Sequence, residues 1–577
     1  MDDEILEPLR EYATSLREKH KAVTEEYFDE LVKKSGVDAD ANAETVAKYK
    51  EVMSKLNDAN KYVKKFKNIR LALIFCIIAL GIVGIATFQL FSGTIKWLSI
   101  FLPIVCGLGA IALIVVICVV INKRIKAGSS QADDLKQDAN RLEQEAWAQL
   151  YPLNSLYDWN IPGEIISKAV PQIQIDKYFD LEKFKYFETN FALSGEVDDC
   201  RSVYCVRTGN SGGNPFLIVR YLTQDWVQQR YDGSLTVSWT ETVRNSDGSV
   251  DVVTKSETLR ASVYKPKPDY SFSTRLYYGN DAAPDLRFTR EPVVPAGADD
   301  KKIQSIVKKG EKQLEKKTRE AVKKGTQYNK LANSEFEVLF GADDRTNEMQ
   351  FRMLFTPLAQ QNEVKIIKNN VYGDDFSFYK FGKINVIRSV HGASLDIDAN
   401  PTNFLRFDLQ AAREFFINYN VNYFKSVYFD FAPLLAIPLY QQEEPQQKYE
   451  YCGKRNGLAE WELESLANFY NHDLLTDPET AVGAIIKTKI IQSGENGATA
   501  VITGHSFRAY ERVDYVSVRC SNGNYYDVAV PWIEYLPVQK MTQMSVNSTE
   551  MTRKDFIDSD EGSDSVIFVN GLKASLQ

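Results

Sequence analysis

The sequence predicts a membrane-anchored α+β protein: an N-terminal helical stalk, two transmembrane helices, and a β-rich cytosolic body with antiparallel sheets. Three observations support this fold class. Two uncharged apolar runs adjoin each other early in the chain, the segments beside them carry apolar residues at helical spacing, and beyond about Val203 the spacing changes to the alternation of strands. The 577 residues are otherwise ordinary, with 44% hydrophobic and 25% charged, so the apolar runs are local features.

Residues 1–70 are predicted to form a cytosolic helical hairpin or stalk. Apolar residues from Ile5 to Leu31 recur at helical spacing, and the stretch SGVDADANAE then supplies a glycine stop and a polar turn. Between Glu44 and Phe66 the apolar residues step by threes and fours along one stripe. We expect this second helix to run directly into the first apolar run.

Residues 71–122 are predicted to form a transmembrane helical hairpin. The runs from Leu71 to Ile95 and from Trp97 to Asn122 hold 25 and 26 residues without a charge, and about 20 helical residues cross a hydrocarbon core. A signal peptide is excluded because the first run begins 70 residues into the chain and is followed by a second run instead of a cleavage pattern. The alternative is a buried helical hairpin in a soluble core.

Basic residues flank the two runs on one side and predict their orientation. By the positive-inside bias, both termini lie in the cytoplasm, the protein is a multi-pass protein of the plasma membrane, and FSGTIK, which holds Lys96, is an external turn. The cytosol then holds the 455 residues after Asn122. The flanking cations expected at the membrane surface are Lys64, Lys65, Lys67 and Arg70 before the first run, and Lys123, Arg124 and Lys126 after the second.

Residues 123–155 are predicted to contain a membrane-proximal helix from Gln131 to Leu150, preceded by a flexible AGSS segment. An antiparallel transmembrane hairpin brings this helix beside the one that precedes Arg70. The two helices are therefore expected to pair as a cytoplasmic stalk of coiled-coil type, with the N-terminal helix as a third member. The alternative is that each apolar stripe packs separately on the large cytosolic body.

Residues 156–298 are predicted to form a β-rich domain. PFLIVRYL has the composition of a short apolar strand, and SLTVSWTETV and VDVVTKSETLRASVYK alternate like strands joined by the Asp-Gly turn of RNSDGS. The proline-rich passages YKPKPDY and REPVVPAGADD indicate a boundary after this domain. An antiparallel sheet is therefore expected here.

Residues 299–330 are predicted to form a basic helix or linker, because residues 301–330 hold eleven Lys or Arg against three Glu. Such a helix on a tethered protein can rest on the anionic inner leaflet, where each cation contributes about 1 kcal/mol. The alternative is a solvated helix or linker, since Gly310 and Gly325 are expected to interrupt it and no Trp or Phe accompanies the cations. The residues expected to contact lipid are Lys308, Lys309, Lys316 and Lys317.

Three further segments complete the predicted body. Residues 331–445 mix strand-like FSFYKFGKINVI with helical FLRFDLQAAREFFINYN and are expected to form an α+β domain with an aromatic core. Residues 446–540 are expected to form a β-rich segment in which SNGN is the turn between VDYVSVRC and YYDVAVPW. Residues 541–577 are predicted to be a loose polar tail apart from SVIFVNGL.

No catalytic, cofactor or metal site is predicted. His391 precedes Asp396, Asp398 and Asn400, whose spacing begins a calcium loop, but Pro401 occupies the glycine position and the twelfth place lacks a glutamate. A strand edge and turn is therefore favoured there. TGNSGGNP lacks the Lys-Ser/Thr ending of a phosphate-binding loop and is expected to be a loop before a strand.

The remaining candidates for chemistry are equally weak. His505 and Ser506 are neighbours on a predicted strand and point to opposite faces, so they do not form a nucleophile and base pair by themselves. The seven cysteines show neither a secreted-type framework nor zinc-site spacing, which favours reduced thiols. CGKRNG gives Cys452 basic neighbours that can lower a thiol pKa, but it supplies no partner base.

Five stretches of the body accompany the layout of two spans followed by a cytosolic domain: GNPFLIVRYL, DGSLTVSWTETV, LYYGNDAAPDLRFTREP, FGADDRTNEMQFRMLFTPLAQ and VPWIEYLPV. With these stretches the chain resembles a group of uncharacterised membrane proteins of Gram-positive bacteria and mollicutes. It also resembles a broader class of bacterial proteins of unknown function that pair a transmembrane hairpin with a cytosolic domain. The resemblance implies a bacterial plasma membrane and no activity.

Charge and the absence of motifs narrow the expected function. The net charge of -8 argues against a dedicated nucleic-acid binder, because phosphate contacts need a basic field. A clear anchor without a catalytic signature predicts a non-enzymatic anchored binding or scaffold module, whose partners are the lipid bilayer and either another protein or a second copy of the chain. The alternative is a membrane-tethered enzyme that acts on an inner-leaflet or soluble substrate.

Overall fold

The computed structural model describes residues 4–91, 96–191, 193, 198–244, 250–324, 330–395, 397–443, 445–494, 497–559 and 564–577. The helices are α1 (Pro8–Glu11), α2 (Arg17–Ser35), α3 (Ala39–Phe91), α4 (Lys96–Val116), α5 (Asn122–Asn154), α6 (Ile161–Ala169), α7 (Leu181–Phe191), α8 (Asp300–Lys324), α9 (Ser334–Phe340), α10 (Glu348–Leu354), α11 (Pro357–Ile367), α12 (Leu409–Leu435), α13 (Pro438–Gln442), α14 (Glu460–Ala467), α15 (His472–Leu475) and α16 (Arg553–Asp558). The strands are β1 (Ile173–Ile175), β2 (Arg201–Ser211), β3 (Asn214–Arg244), β4 (Val250–Gly279), β5 (Arg287–Arg290), β6 (Phe376–Phe381), β7 (Ile384–Ser389), β8 (Ile485–Ser493), β9 (Gly497–Arg519), β10 (Tyr525–Ser548), β11 (Val566–Val569) and β12 (Leu572–Leu576).

The chain divides into two compact units. We name them the helical unit, which comprises Asp29–Leu156 and Phe404–Phe416, and the sheet unit, which comprises Met1–Phe28, Tyr157–Asn403 and Ile417–Gln577. A helical N-terminal region with two long apolar helices, followed by antiparallel sheets, is the mixed α+β class that the sequence predicts.

Two long helical segments build the helical unit. α3 is one continuous helix of 53 residues, so the predicted stalk helix does run directly into the first apolar run. α4 continues through a π-helical turn over Ile117–Ile121 into α5. The external turn expected at FSGTIK falls mainly on residues 92–95, outside the described residues.

α3 and α5 pack against each other, as the predicted pairing of the membrane-proximal helices requires. A Cβ atom at Gly128 would lie only 2.9 Å from Cγ2 of Val63, so this glycine permits the close approach of the two helices. The expected flexible break at AGSS is therefore wrong: α5 begins at Asn122 and continues through Gly128. Phe407 packs beside this pair of helices and contacts Tyr49 on α3, with ring centroids 5.3 Å apart.

The N-terminal segment as far as Phe28 belongs to the sheet unit, and only the end of α2, from Asp29, belongs to the helical unit with the α3–α5 pair. Tyr12 stacks on Tyr428 of α12 with ring centroids 5.2 Å apart, and His20 stacks on Phe424 at 4.2 Å. α12 is rich in aromatic side chains, which bury large apolar areas where the N-terminal segment packs against them. Gly36, at φ 66°, follows α2 and confirms the predicted glycine stop.

A seven-stranded antiparallel sheet forms the centre of the sheet unit, in the order β1-β2-β3-β4-β7-β6-β5. β4 pairs with β7 from Arg275↔Arg388 to Gly279↔Ile384. The predicted segments 156–298 and 331–445 therefore contribute to one sheet, and the boundary drawn between them is wrong. The proline-rich passage marks the start of an insertion between strands, which contains α8 to α11.

Both faces of this sheet are buried in its middle. Phe216 and Ile218 lie in one hydrophobic core with α12, whereas Leu217 and Val219 lie in a second core with α7. A strand that is covered on both sides has no polar face, which is why PFLIVRYL lacks the alternation of its neighbours. The Gly212-Gly213 pair, at φ 59° and 82°, turns the chain from β2 into β3. The loop expected over all of TGNSGGNP is limited to these two glycines, because residues 208–211 belong to β2 and Asn214 begins β3.

A second antiparallel sheet has the order β11-β12-β10-β9-β8. The predicted SNGN turn does join β9 to β10. The prediction of a loose tail after residue 541 is wrong for most of its length, because β10 continues to Ser548 and α16, β11 and β12 follow. Met544 and Leu572 are buried in the same core, so the tail residues complete the sheet, and SVIFVNGL supplies its edge as foreseen.

Two hairpins extend beyond their sheets and pack face to face; we call residues 224–244, 250–270, 507–519 and 525–538 the arm. β3 and β4 stay paired from Phe216↔Tyr278 to Arg244↔Val250, so PFLIVRYL and SLTVSWTETV, predicted as separate strands, belong to one continuous strand. The expected Asp-Gly turn lies outside the described residues. Leu259 and Val530 are buried between the hairpins. The alternation of SLTVSWTETV thus reflects one packed and one open face.

We expect Gly233→Val to open the arm. A Cβ at Gly233 would lie 2.2 Å from the main-chain oxygen of Ala529, so a side chain there must push the hairpins apart at a cost of about 1–3 kcal/mol. Ser234→Val is the matched control, because Ser234 is exposed on the opposite face of the same strand. Hydrogen exchange of the arm amides should show a lower opening free energy only in Gly233→Val; equal exchange in both variants would refute the packing.

Candidate functional site

The apolar side chains of the two long helices are largely exposed. Each contains a stretch long and apolar enough to cross a membrane, within Ala39–Gln89 and Ile100–Asn154 of the described chain. In the first helix, no residue of the most apolar stretch of 18 residues is buried. In the second helix, 11% of the corresponding stretch is buried. Phe75 and Ile82 on α3 and Leu108 on α4 are each 62–63% exposed. The burial that a soluble core hairpin would require is therefore missing from these stretches.

The predicted flanking cations gather on the paired parts of α3 and α5. Arg70 donates to Oδ1 of Asn122 at 3.5 Å, and the Arg124 guanidinium lies 5.3 Å from the centroid of the Phe66 ring, so both link the two helices. The antiparallel course of the helices thus places the two basic flanks at the same end of the apolar stretch. The exposed members of this set are Lys64, Lys65, Lys67, Lys123, Arg124 and Lys126.

The basic helix α8 is packed in the sheet unit and is not a linker. Ile303 and Leu314 are buried, and a Cβ at Gly310 would lie 2.4 Å from Cγ1 of Val338 on α9. Gly310 therefore does not interrupt the helix but lets α8 approach α9, whereas Gly325 lies outside the described residues. Lys308, Lys309, Lys316 and Lys317 are all exposed, and Lys317 forms an ion pair with Asp343.

Sequence reasoning missed a buried charged cluster around His391. Nδ1 of His391 lies 2.6 Å from Oδ2 of Asp375, and Nε2 lies 3.3 Å from Oδ1 of Asp430 on α12. Ser389 donates to the same Asp430 oxygen at 2.6 Å. The ring of Tyr372 stacks on the imidazole with centroids 4.0 Å apart. The predicted turn at His391 is confirmed as a short 3₁₀ segment after β7, but its partners come from distant parts of the chain.

The two carboxylates fix the charge of this imidazole. Burial alone would lower the pKa of His391, but the charges and hydrogen bonds of Asp430 and Asp375 outweigh burial and raise the pKa to about 10. A histidine whose two nitrogens both face carboxylates is a poor general base at neutral pH. The cluster therefore acts as a buried ion network that ties the end of β7 to α12.

Lys380 of β6 shows the opposite shift. Its side chain is fully buried and donates to the main-chain oxygens of Ala282 and Gly382, at 3.0 and 2.7 Å. Burial lowers the pKa of Lys380 to about 7. The sheet unit thus contains a histidine with a raised pKa, His391, and a lysine with a lowered pKa, Lys380.

The other candidates from the sequence show no catalytic arrangement. Nδ1 of His505 contacts Nε2 of Gln539, whereas the Ser506 hydroxyl bonds to Thr480, which confirms that the neighbours face opposite sides. Burial raises the pKa of the Cys452 thiol to about 11, so its basic neighbours do not activate it. Asp396 of the calcium-like spacing lies outside the described residues, and the carboxylate of Asp398 accepts from the Asn400 amide.

Comparisons with other proteins provide no family assignment. No protein-family model, no curated protein and no solved structure matches the chain. Among the described residues, no group of three or more His, Cys, Asp or Glu side chains is placed to hold a metal ion.

The opposite shifts of His391 and Lys380 predict opposite pH dependences of stability. Folded His391 retains a proton that the unfolded chain loses, so its contribution is complete below pH 6.5 and is lost as pH rises towards about 10. Folded Lys380 lacks a proton that the unfolded chain retains above about pH 7, so it adds stability as pH rises towards 10.5. In the native protein the two effects offset each other.

Single variants should separate the two effects. Between pH 7 and about 9.5, the free energy of unfolding of Lys380→Met should fall with pH relative to that of His391→Gln, because each variant keeps only the other group. Denaturant unfolding at several pH values measures both slopes, and the remaining titrating groups are common to both proteins. Identical slopes would contradict the assigned protonation states.

Proposed function

We propose that the chain is an integral, multi-pass protein of a bacterial plasma membrane, anchored by α3 and α4 with both termini in the cytoplasm. The observation that carries this proposal is the pairing of bare apolar helices with basic flanks gathered at one end. Each large apolar side chain left in water costs about 1.5–3 kcal/mol, so these surfaces favour lipid around them. The gathered cations support a cytoplasmic location for that end.

We further propose that the sheet unit acts as a non-enzymatic binding or scaffold module for another protein or for a second copy of the chain. The arm supports this role, because its two paired hairpins carry exposed aromatic side chains, as at Tyr264, Tyr515 and Tyr525. Aromatic residues are enriched where proteins contact each other. The His391 cluster, in which both imidazole nitrogens are engaged, is consistent with a structural role.

The lipid bilayer is the second proposed partner of the sheet unit, through the exposed lysines of α8. The apolar stripe of α8 packs against the core of the sheet unit, and Lys308, Lys309 and Lys316 are exposed. Each cation near an anionic surface contributes about 1 kcal/mol, so several together hold a surface at the inner leaflet. Lys317 is expected to contribute less, because Asp343 neutralises it.

Cysteine labelling in intact cells tests the orientation. In a background without the native cysteines, Thr94→Cys should react with a membrane-impermeant maleimide, whereas Thr549→Cys should react only after permeabilisation. The expected result follows from the proposed orientation, in which the gathered cations lie on the cytoplasmic side and the connection between the two apolar runs lies outside. Labelling of Thr549→Cys in intact cells, or recovery of the chain in the soluble fraction, would overturn the anchor proposal.

Lysine acetylation in reconstituted vesicles tests the lipid contact of α8. Vesicles rich in phosphatidylserine should protect Lys308, Lys309 and Lys316 relative to phosphatidylcholine vesicles, as quantified by mass spectrometry. Lys489 is the matched control, since it is an exposed lysine on β8 and does not belong to the basic helix. Equal acetylation of α8 in both vesicles would remove the lipid contact and leave the anchor intact.

A further inference from the structure

The sheet unit contains a cavity of about 290 Å³ whose floor is apolar. It is lined by Phe431, Leu434 and Leu435, at the C-terminal end of α12, and by Tyr278 and Tyr440. All five residues are at most 4% exposed, so core side chains build the walls. A mostly apolar cavity with a few polar groups is the usual form of a small-molecule site.

Hydrogen bonds behind the aromatic walls hold the cavity open. The Tyr440 hydroxyl donates to Oδ1 of Asn385 at 2.6 Å, and the Tyr278 hydroxyl donates to the main-chain oxygen of Tyr440 at 3.3 Å. Nδ2 of Asn280 donates to that same oxygen at 3.1 Å. The two rings therefore cannot rotate into the space without breaking buried hydrogen bonds, and the site is preformed.

The mouth of the cavity is polar and is bounded by the N-terminal segment. Gln441 fixes that segment by accepting from the Ile5 amide at 2.9 Å and donating to the Ile5 oxygen at 2.8 Å. Ile5 itself is buried in the core, so its neighbour Glu4 is placed at the rim. Gln172 and Ser211 complete the rim, and Glu4 is the one charged residue among the described residues that line the cavity.

We propose that this cavity binds a small amine with an apolar body. The aromatic or alkyl body occupies the space between Leu434 and the tyrosine rings, and the ammonium group lies at the rim beside the Glu4 carboxylate. Small carboxylates are disfavoured, since their charge would face Glu4, and the described residues of the lining supply no compensating cation. All residues that line the cavity belong to the sheet unit, and the proposal does not rest on the membrane anchor.

Ligand-observed fluorine NMR on the full chain in one detergent tests this site with three probes that share a body. The probes are para-fluorophenethylamine, para-fluorophenethyl alcohol and para-fluorophenylacetate. We expect the amine to bind best and the carboxylate worst. Glu4→Gln should weaken amine binding by about threefold, the size of an exposed charge contact, and leave the alcohol unchanged. An amine that binds no better than the carboxylate would overturn the assignment.

Cavity-filling variants separate specific binding from partition into the detergent. Leu434→Trp places a large ring in the cavity and should abolish binding, whereas Leu434→Met conserves volume and should retain it. Gln172→Trp blocks the mouth from the surface and provides a second test if Leu434→Trp does not fold. Binding that persists in a folded Trp variant at the wild-type level would overturn the site.

Discussion

Five residue pairs between β4 and β7 join two parts of the chain that lie more than a hundred residues apart, and the rest of the sheet unit depends on this pairing. It places Tyr278 opposite Asn385, which positions the walls of the cavity. It also brings the end of β7, with Ser389 and His391, against α12. Because loop closure over such a distance costs entropy before any contact forms, buried apolar surface on both faces must offset it.

Buried charges recur where distant segments meet. Lys183 has no exposed surface, and its ammonium group contacts both carboxylate oxygens of Asp176, at 2.7 and 2.8 Å. It also donates to the main-chain oxygen of Glu450. Arg290 and Asp374 also form an ion pair, and both side chains are completely buried. Buried pairs contribute little net stability compared with apolar packing, but an unpaired partner is costly, so each pair penalises any alternative arrangement of its segments. The same reasoning applies to His391 between its two carboxylates.

Local features of this fold could be predicted from the sequence, and long-range ones could not. The continuous α3, the glycine stop at Gly36 and the SNGN turn follow from spacing and turn chemistry within a few residues. The sequence wrongly predicts helix breaks at Gly310 and around Gly128, because it does not show that a neighbouring helix packs closely against each glycine. The proline-rich passage predicts a domain boundary because nothing near it in the sequence reveals that β4 pairs with β7. The partners of His391 share no local spacing, so no motif could reveal them.

The length of α3 has a mechanical consequence. At 1.5 Å per residue its 53 residues form a rod of about 80 Å, roughly half of which lies outside the apolar run. In the proposed orientation no hinge separates the lipid-embedded half from the cytoplasmic half. A change in bilayer thickness that tilts one end must therefore swing the other through a proportional arc, so the rod can convert the state of the lipid into displacement inside the cell.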